Sequence, residues 1–589
     1  MAKPTVSDFL VKRLGAWGVR RVYGYPGDGI DGVMGALSRA TGRIEFIQSR
    51  HEEMAAFMAC GQAKYTGEVG VCITTSGPGA IHALNGLYDA KLDHQPVVAI
   101  VGQTARAAQG GHYQQEVDLV ALFKDVACDF VETVTVPIQL RHVIDRAFRI
   151  ALSQRAPTCI ILPADVQELA YEAPPHEHGT VHSAVGWERP RVAPSEAQLR
   201  RAADILNAGR KVAILAGAGA LRAGPELLEV AERLGAGIAK ALLGKAVVPD
   251  TLPYVTGGIG ILGTKPTYDM MMQCDTLLMV GSGFPYAEFL PEEGQARGVQ
   301  IDIDGRMLGL RYPMEANLIG DSAETLRLLA PLLEHKKERS WREAIEKNVA
   351  KWWDTLGQRA DEARKPLNPQ RVFAELSPRV PDNAVLACDT GTSVHWLSRH
   401  VKMRDGMLFA HSGNLASMGA AMPYAIAAKF ALPGRPVLAF VGDGAMQMNG
   451  LNELITLARY WKRWADPRFV VLVLNNRDLN MVSWEQRVLS GSPKFSDSQD
   501  LPAFSYATYA EQLGLKGITL SEPEGVAEVW DEALACDRPV LVDAIVDPNV
   551  PPLPPHVTLK QARNYLSAVL KGDPDALKIV RASAREIFA

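Results

Sequence analysis

Short runs of consecutive apolar residues recur along the chain, and most end in glycine or an acidic residue. They are VGVCITT (69–75), PVVAIVG (96–102), TCIILPA (158–164), KVAILAGAG (211–219), DTLLMVGSG (275–283), GVQIDID (298–304), AVLACDTG (384–391), PVLAFVGDG (436–444) and RFVVLVLNN (468–476). Helix-length segments separate them. Strands that are apolar throughout are covered on both faces, so the pattern predicts an α/β fold of three doubly wound parallel-sheet domains. Ligands of such sheets sit at the carboxyl ends of the strands, where these glycines and aspartates fall.

Two breaks divide the pattern. Residues 171–196, YEAPPHEHGTVHSAVGWERPRVAPSE, are rich in Pro, His and Gly without periodicity and read as a linker. Residues 335–369 read as a charged helical connector that stops at prolines. The expected domains are therefore 1–175, 190–335 and 369–550, followed by a tail at 551–589.

Composition adds limits. The length of 589 residues exceeds what one core supports. With 47% hydrophobic and 22% charged residues the chain is of soluble globular type. A formal net charge of −4 offers no general attraction to nucleic acid, so no such partner is expected, although small phosphorylated ligands fit. Cys60, Cys72, Cys128, Cys159, Cys274, Cys388 and Cys536 are scattered without a CxxC pair, which argues against a zinc site and a disulfide scaffold and points to a cytoplasmic setting. The N-terminus lacks the apolar core of a signal peptide, and no stretch is long and apolar enough to cross a bilayer.

Candidate chemistry begins at FIQSRHEEMAAFMA (46–59). Met54, Phe57 and Met58 mark a buried helical face, which puts Glu52 and Glu53 at the helix N-terminus. They either decorate the first turn of a surface helix or are partly buried, with one carboxyl held protonated. Further on, a strand ends in Gly442-Asp443-Gly444 ahead of a helix, where amides and dipole attract phosphate. A later strand ends in Asn475-Asn476. Oxygens of Asp443, Asn476 and a nearby backbone carbonyl, assigned to Asp478, suit octahedral Mg²⁺ bridging a diphosphate.

The GDG…NN pair, with SRHEE and TTSGPGAIHALNGLYDA upstream, resembles the thiamine diphosphate enzymes of the pyruvate oxidase and acetolactate synthase family. The resemblance covers essentially the whole chain in the family's order of pyrimidine-binding, central Rossmann-like and diphosphate-binding domains. It implies thiamine diphosphate and Mg²⁺ as cofactors. It also implies that Glu52 meets N1′ of the aminopyrimidine, its proton favouring the imino tautomer that removes the thiazolium C2 proton. A shielded carboxyl of raised pKa suits that task. His51 and Glu53 are left as supporting groups. Pro78 and Gly79, in the loop Ser76-Gly77-Pro78-Gly79, lie over the pyrimidine by the same resemblance. Gly391, Thr392 and Ser393 join Gly442, Asp443, Gly444 and Ala445 around the diphosphate. Met418 matches the apolar residue that wedges between the cofactor rings, with plain core packing as its alternative. In this family Glu52 and the GDG motif meet across a subunit interface, so a homodimer at least, and a homotetramer by expectation, is implied.

In the central domain Gly217, Gly219, Gly260, Gly281, Asp302 and Asp321 fall at strand ends. The glycines admit a pyrophosphate and the carboxylates suit ribose or adenine. Together they resemble the FAD-binding pattern of pyruvate oxidases, a vestigial domain being the alternative. Oxidation is favoured by GSGFPYAEFLP, which resembles the flavin loop of quinone-linked pyruvate dehydrogenases, and by the absence of the RFDDR run of acetolactate synthases. Glu485 falls where pyruvate oxidases carry a catalytic glutamate. The expected activity is oxidative decarboxylation of a small, pyruvate-like 2-keto acid with electrons passing through FAD to quinone or another acceptor. The alternatives are an acetolactate synthase-type carboligase with flavin structural or absent, and a regulator without catalysis. Three positions depart from the family. Gln114 replaces a pocket aromatic beside the catalytic Gln115, and Asn480 replaces a glycine; both open the pocket to a more polar substrate. Trp484 narrows the pocket or packs outward.

The tail resembles the end of membrane-activated pyruvate dehydrogenases. Ala576, Leu577, Val580, Ala584, Ile587 and Phe588 recur at helical spacing, with Lys578, Arg581 and Arg585 between them. Such a helix suits peripheral docking on the inner face of the cell membrane, near quinone, or packing on its own oligomer.

Overall fold

A computed structural model describes residues 3–588, with side chains to 584 at the carboxyl end. The side chains of Arg585, Ile587 and Phe588, assigned above to the faces of the tail helix, lie outside that range.

The apolar runs become strands in three six-stranded sheets whose pairings are all parallel. Across the first sheet lie Glu45–Gln48, Arg21–Gly24, Gly70–Thr74, Val97–Gln103, Pro157–Pro163 and Val131–Thr133. The third sheet repeats that order with Leu408–His411, Val385–Cys388, Val437–Gly442, Phe469–Asn475, Val540–Ile545 and Lys516–Leu520. Across the central sheet lie Val255–Gly258, Gly237–Lys240, Val212–Ala216, Thr276–Val280, Arg297–Asp302 and Ala316–Ile319. That is the 3-2-1-4-5-6 order of dinucleotide-binding sheets.

A crevice opens wherever such a sheet reverses its winding. In the third sheet the reversal falls between Val385–Cys388 and Val437–Gly442, so Asp389 to Gly391 and Asp443 to Gly444 emerge side by side. In the central sheet it falls between Val212–Ala216 and Thr276–Val280, where Gly217 and Gly281 emerge. In the first it lies between Arg21–Gly24 and Gly70–Thr74, below the segment 76–79.

The stretch 46–59 enters the helix Glu52–Thr66, whose N-cap His51 accepts a hydrogen bond from the Glu53 amide through Nδ1 (3.2 Å). This helix is no surface element: Met54 through Cys60 are all buried. It packs between the first sheet and the helix Ala421–Ala431 of the third domain, and the two domains share one hydrophobic core. Gly61 permits the approach, because a Cβ there would lie 2.8 Å from the Tyr424 ring. Lys64 pins the same interface, its Nζ donating to Asp93 (2.7 Å), the His411 carbonyl (2.6 Å) and Tyr424 (2.8 Å).

The connector forms the helix Ser340–Asp361, and the tail folds as two helices, Leu559–Leu570 and Ala576–Phe588. Ile579 and Ala582 of the second are buried, whereas Leu577 (78%) and Val580 (42%) face solvent. Among the described residues no helix is long and apolar enough to cross a membrane.

Candidate functional site

The carboxyl end of Val437–Gly442 leads directly into a helical turn at Asp443–Ala445, a π-helical turn at Met446–Gly450 and the helix Leu451–Tyr460. Asp443 is 3% exposed. Its Oδ2 accepts from the amides of Asn476 (2.9 Å) and Arg477 (2.6 Å), and its Oδ1 from Gly444 (2.9 Å). These bonds tie the two strand ends into one loop pair. Burial pushes the Asp443 carboxyl up to about 7 despite those donors, a mismatch that a divalent cation would relieve. The Asn476 Oδ1 accepts from the Asp478 amide (3.0 Å) and keeps a second lone pair. The Asp478 carboxylate is committed elsewhere, to Ser483 (2.7 Å), Asn480 (2.9 Å) and Lys494 (3.0 Å). Its carbonyl accepts from the Asn480 amide (2.7 Å) and keeps one lone pair for the metal. The donor set of one carboxylate, one amide oxygen and one carbonyl fits Mg²⁺.

Beside it, buried Asp389 holds the amides of Thr390 (3.0 Å) and Gly419 (2.9 Å), which fixes the Gly391 turn against the segment carrying Met418. Burial pushes this carboxyl up to about 7 as well. Gly391 has φ +115° and opens the helix Thr392–His400; the Ser393 hydroxyl donates to the Asp389 carbonyl (3.1 Å). Met418 is half-buried and faces Gly444, its Cε 3.3 Å from where a Gly444 Cβ would lie. Ala445 is buried in the first helical turn.

In the first domain Glu52 is 7% exposed, and its Oε2 meets His82 Nδ1 at 3.0 Å. Gly79 lies against the same carboxyl, since a Cβ there would sit 3.0 Å from Glu52 Oε1. Pro78 starts the helix Pro78–His82 that brings His82 over. Gln115, at φ +63°, accepts from the Ser76 hydroxyl through Oε1 (2.8 Å), which places it against the same loop. The neighbouring Glu53 points elsewhere, as consecutive helix positions do. Its carboxylate accepts from Asn85 (2.6 Å) and from Asn449 of the third domain (3.2 Å). The third domain of the same chain is thus engaged by Glu53, while Glu52 opens toward exposed Ile81 and His82.

In the central domain Gly217 and Gly281 meet so closely that a Cβ on Gly217 would lie 2.3 Å from the Gly281 carbonyl. Gly219 packs on the same residue, and Gly260 takes φ +94° beside Phe284. Asp302 is half-buried and raised by that burial, and it accepts from the Asp304 amide (3.0 Å). Asp321, expected to bond a nucleotide, caps the helix Ser322–Leu329 and pairs with Arg189 (2.8 Å), so part of its carboxylate is engaged within the chain. Burial lowers the pKa of Arg155, with the charges of Arg189 and Arg222 adding to the effect. Arg222 follows the Gly217 turn directly. A crevice of glycines with a half-buried carboxylate at the end of the adjoining strand fits a dinucleotide.

Two further expectations change. Asn480 does not open the pocket: it is buried, and its Nδ2 donates to Asp478 and to the Pro548 carbonyl (2.8 Å). Trp484 packs outward, stacked on Tyr565 of the tail at 6.3 Å. Glu485 and Gln114 are exposed. Sequence reasoning missed His82 and the arginines. The helical spacing of Gly79 and His82 was a usable signal, whereas Arg155 and Arg222 come from separate segments that only the fold joins.

Comparison with known proteins matches the three domains in order. Residues 4–122 match the thiamine pyrophosphate enzyme N-terminal TPP binding domain, 199–329 the central domain and 389–544 the C-terminal TPP binding domain. A Bacillus subtilis protein named as thiamine pyrophosphate-containing is 38% identical, over 97% of this chain and 96% of its own. The pyruvate oxidase of Lactiplantibacillus plantarum is 30% identical, over 92% of this chain and 88% of its own. The acetolactate synthase isozyme 3 large subunit of Escherichia coli is also 30% identical, over 92% and 94%.

Proposed function

Because this chain belongs to the thiamine pyrophosphate enzyme family, we propose that it oxidatively decarboxylates a small, pyruvate-like 2-keto acid and passes electrons through FAD to quinone or another acceptor. The redox part is supported by the central crevice, where Gly217, Gly219 and Gly281 pack together at the winding reversal and Asp302 ends the adjoining strand. Bound thiamine diphosphate supplies the electron sink on which a 2-keto acid loses CO₂. Asp443, Asn476 and the Asp478 carbonyl would hold its Mg²⁺, and Gly391, Thr392 and Gly444 would line the diphosphate. Met418 would supply an apolar contact to the cofactor. His82 occupies one oxygen of Glu52, which leaves Oε1 to exchange a proton with the pyrimidine edge. Gln115 and Glu485 face the substrate, where Glu485 moves protons around the reacting carbon. Desolvation by the surrounding protein raises the carboxyl of Glu485, whose side chain still reaches solvent, which suits that role.

A second copy of the chain completes each site, since Glu53 rather than Glu52 engages the third domain of its own chain. Exposed Leu577 and Val580, with Lys578 and Arg581 beside them, support peripheral contact with a membrane that holds quinone.

A carboligase reading is favoured by one observation: the acetolactate synthase and the pyruvate oxidase are equally similar to the chain, at 30%. Product analysis separates the two. The purified enzyme, given pyruvate, thiamine diphosphate, Mg²⁺ and a quinone analogue, is expected to form acetate and CO₂ with one quinone reduced per turnover. Acetolactate formed without quinone reduction would replace oxidation by carbon–carbon bond formation.

A further inference from the structure

After Asn476 the chain forms the helix Asn480–Glu485, which runs on as a π-helical turn, Gln486–Ser490. One face exposes Val482 and Glu485; the other buries Ser483, Trp484 and Arg487. The Arg487 side chain is 1% exposed, and its charge is met from the far end of the sequence. Nε donates to Asp573 Oδ2 (2.8 Å), and Nη2 donates to Asp573 Oδ1 (3.0 Å) and to Asp575 (3.3 Å). Asp573, itself 0% exposed at the side chain, also accepts from the Lys494 amide (2.9 Å). Tail side chains satisfy the carbonyls left open at the end of the π-turn. Asn564 Nδ2 donates to Val488 (3.1 Å) and Leu489 (2.7 Å), and Lys571 Nζ to Gly491 (3.0 Å). Tyr565 stacks on Trp484, over which the Arg487 guanidinium lies at 5.2 Å.

We infer that Arg487 and Asp573 form a clamp through which the tail positions the helix carrying Glu485 at the substrate. Both are positioning residues, because neither faces the crevice. A bidentate pair this deeply buried does not open in the working enzyme: removal of either partner strands the other charge away from water. The first tail helix and the Asp573 turn are therefore a fixed part of the active site. The inference rests on the reading of Glu485 as a substrate-facing acid, but the contact itself is tested without it.

The test compares Asp573→Asn with the unaltered full-length holoenzyme. Amide hydrogen exchange across 480–493 is expected to quicken at least tenfold, with exchange across the strand 437–442 unchanged. The visible flavin spectrum and thiamine diphosphate affinity should stay within twofold, while kcat for the keto acid falls about tenfold. In a Glu485→Gln background the same substitution should cost little further kcat, because the clamp acts through Glu485. Asn564→Ala, which strands no charge, should change exchange in the same direction by a smaller factor and serves where Asp573→Asn fails to fold. Unchanged exchange at 480–493 in the folded variants would overturn the clamp. Faster exchange with kcat untouched by Glu485→Gln would uphold the contact and remove Glu485 from the chemistry.

Discussion

Glu52 and Glu53 differ by one position and serve different partners. Glu52 meets His82 and Gly79, whereas Glu53 meets Asn85 and Asn449. Charge density in the sequence identified the pair as unusual, but the helix phase that separates the two roles is settled by packing. Glu52→Gln keeps the shape and removes the acid. Calorimetry should find thiamine diphosphate affinity within a few-fold, and turnover should fall by about 10²–10⁴; turnover within tenfold of the unaltered enzyme would contradict the role. Asp321 teaches the reverse lesson. LIGDSAE carries an N-cap aspartate with a glutamate three residues on, and the structure uses that local signature to cap the helix Ser322–Leu329. Asn480 likewise resolves to its neighbours, Asp478 and Pro548.

Among elements, most buried strands were legible because continuous apolar runs, most of them ending in glycine or aspartate, admit few other readings. Glu45–Gln48, Val131–Thr133 and Ala316–Ile319 are short and lie at sheet edges, which hides them, and the buried interior strands Arg21–Gly24, Gly237–Lys240 and Val540–Ile545 were not read either. The strain around the site is concentrated where elements end: Gln115, Ala416 and Arg477 all have φ between +54° and +63°, the left-handed region, next to the catalytic loops. The helix Leu451–Tyr460 that follows the GDG turn buries Glu453 completely, against the Arg50 amide (3.1 Å). Burial raises this carboxyl from 4.5 to about 7. The folded state holds the proton more tightly than the unfolded chain does. Stability is therefore expected to fall as pH rises from about 4.5 to about 7, by about 3 kcal/mol, and to stay flat above. Glu453→Gln mimics the protonated side chain. Its denaturant-unfolding free energy should equal that of the unaltered protein near pH 5 and exceed it at pH 8; parallel curves across that range would refute the assignment.

The whole molecule repeats one sheet order in its first and third domains and places a dinucleotide-type sheet between them. The three sheets were legible from periodicity, but the shared core of the outer domains was not, because it depends on which faces of Glu52–Thr66 and Ala421–Ala431 meet. That packing sets Glu53, not Glu52, against the third domain of the same chain, which supports the proposal that a second copy completes the site. Glu52→Gln and Asp443→Asn should each abolish activity alone. Unfolded together and refolded as a mixture, they should recover about a quarter of normal activity, since half the dimers are hybrids with one intact site. No recovery would place both groups in one chain.

The central claim, electron transfer from substrate to flavin, is tested most directly by the visible spectrum of the purified protein mixed anaerobically with pyruvate, thiamine diphosphate and Mg²⁺. The account predicts an oxidised flavin band that bleaches at a rate equal to or faster than turnover, and that fails to bleach in Glu52→Gln. A flavin that stays oxidised while acetolactate accumulates would contradict it.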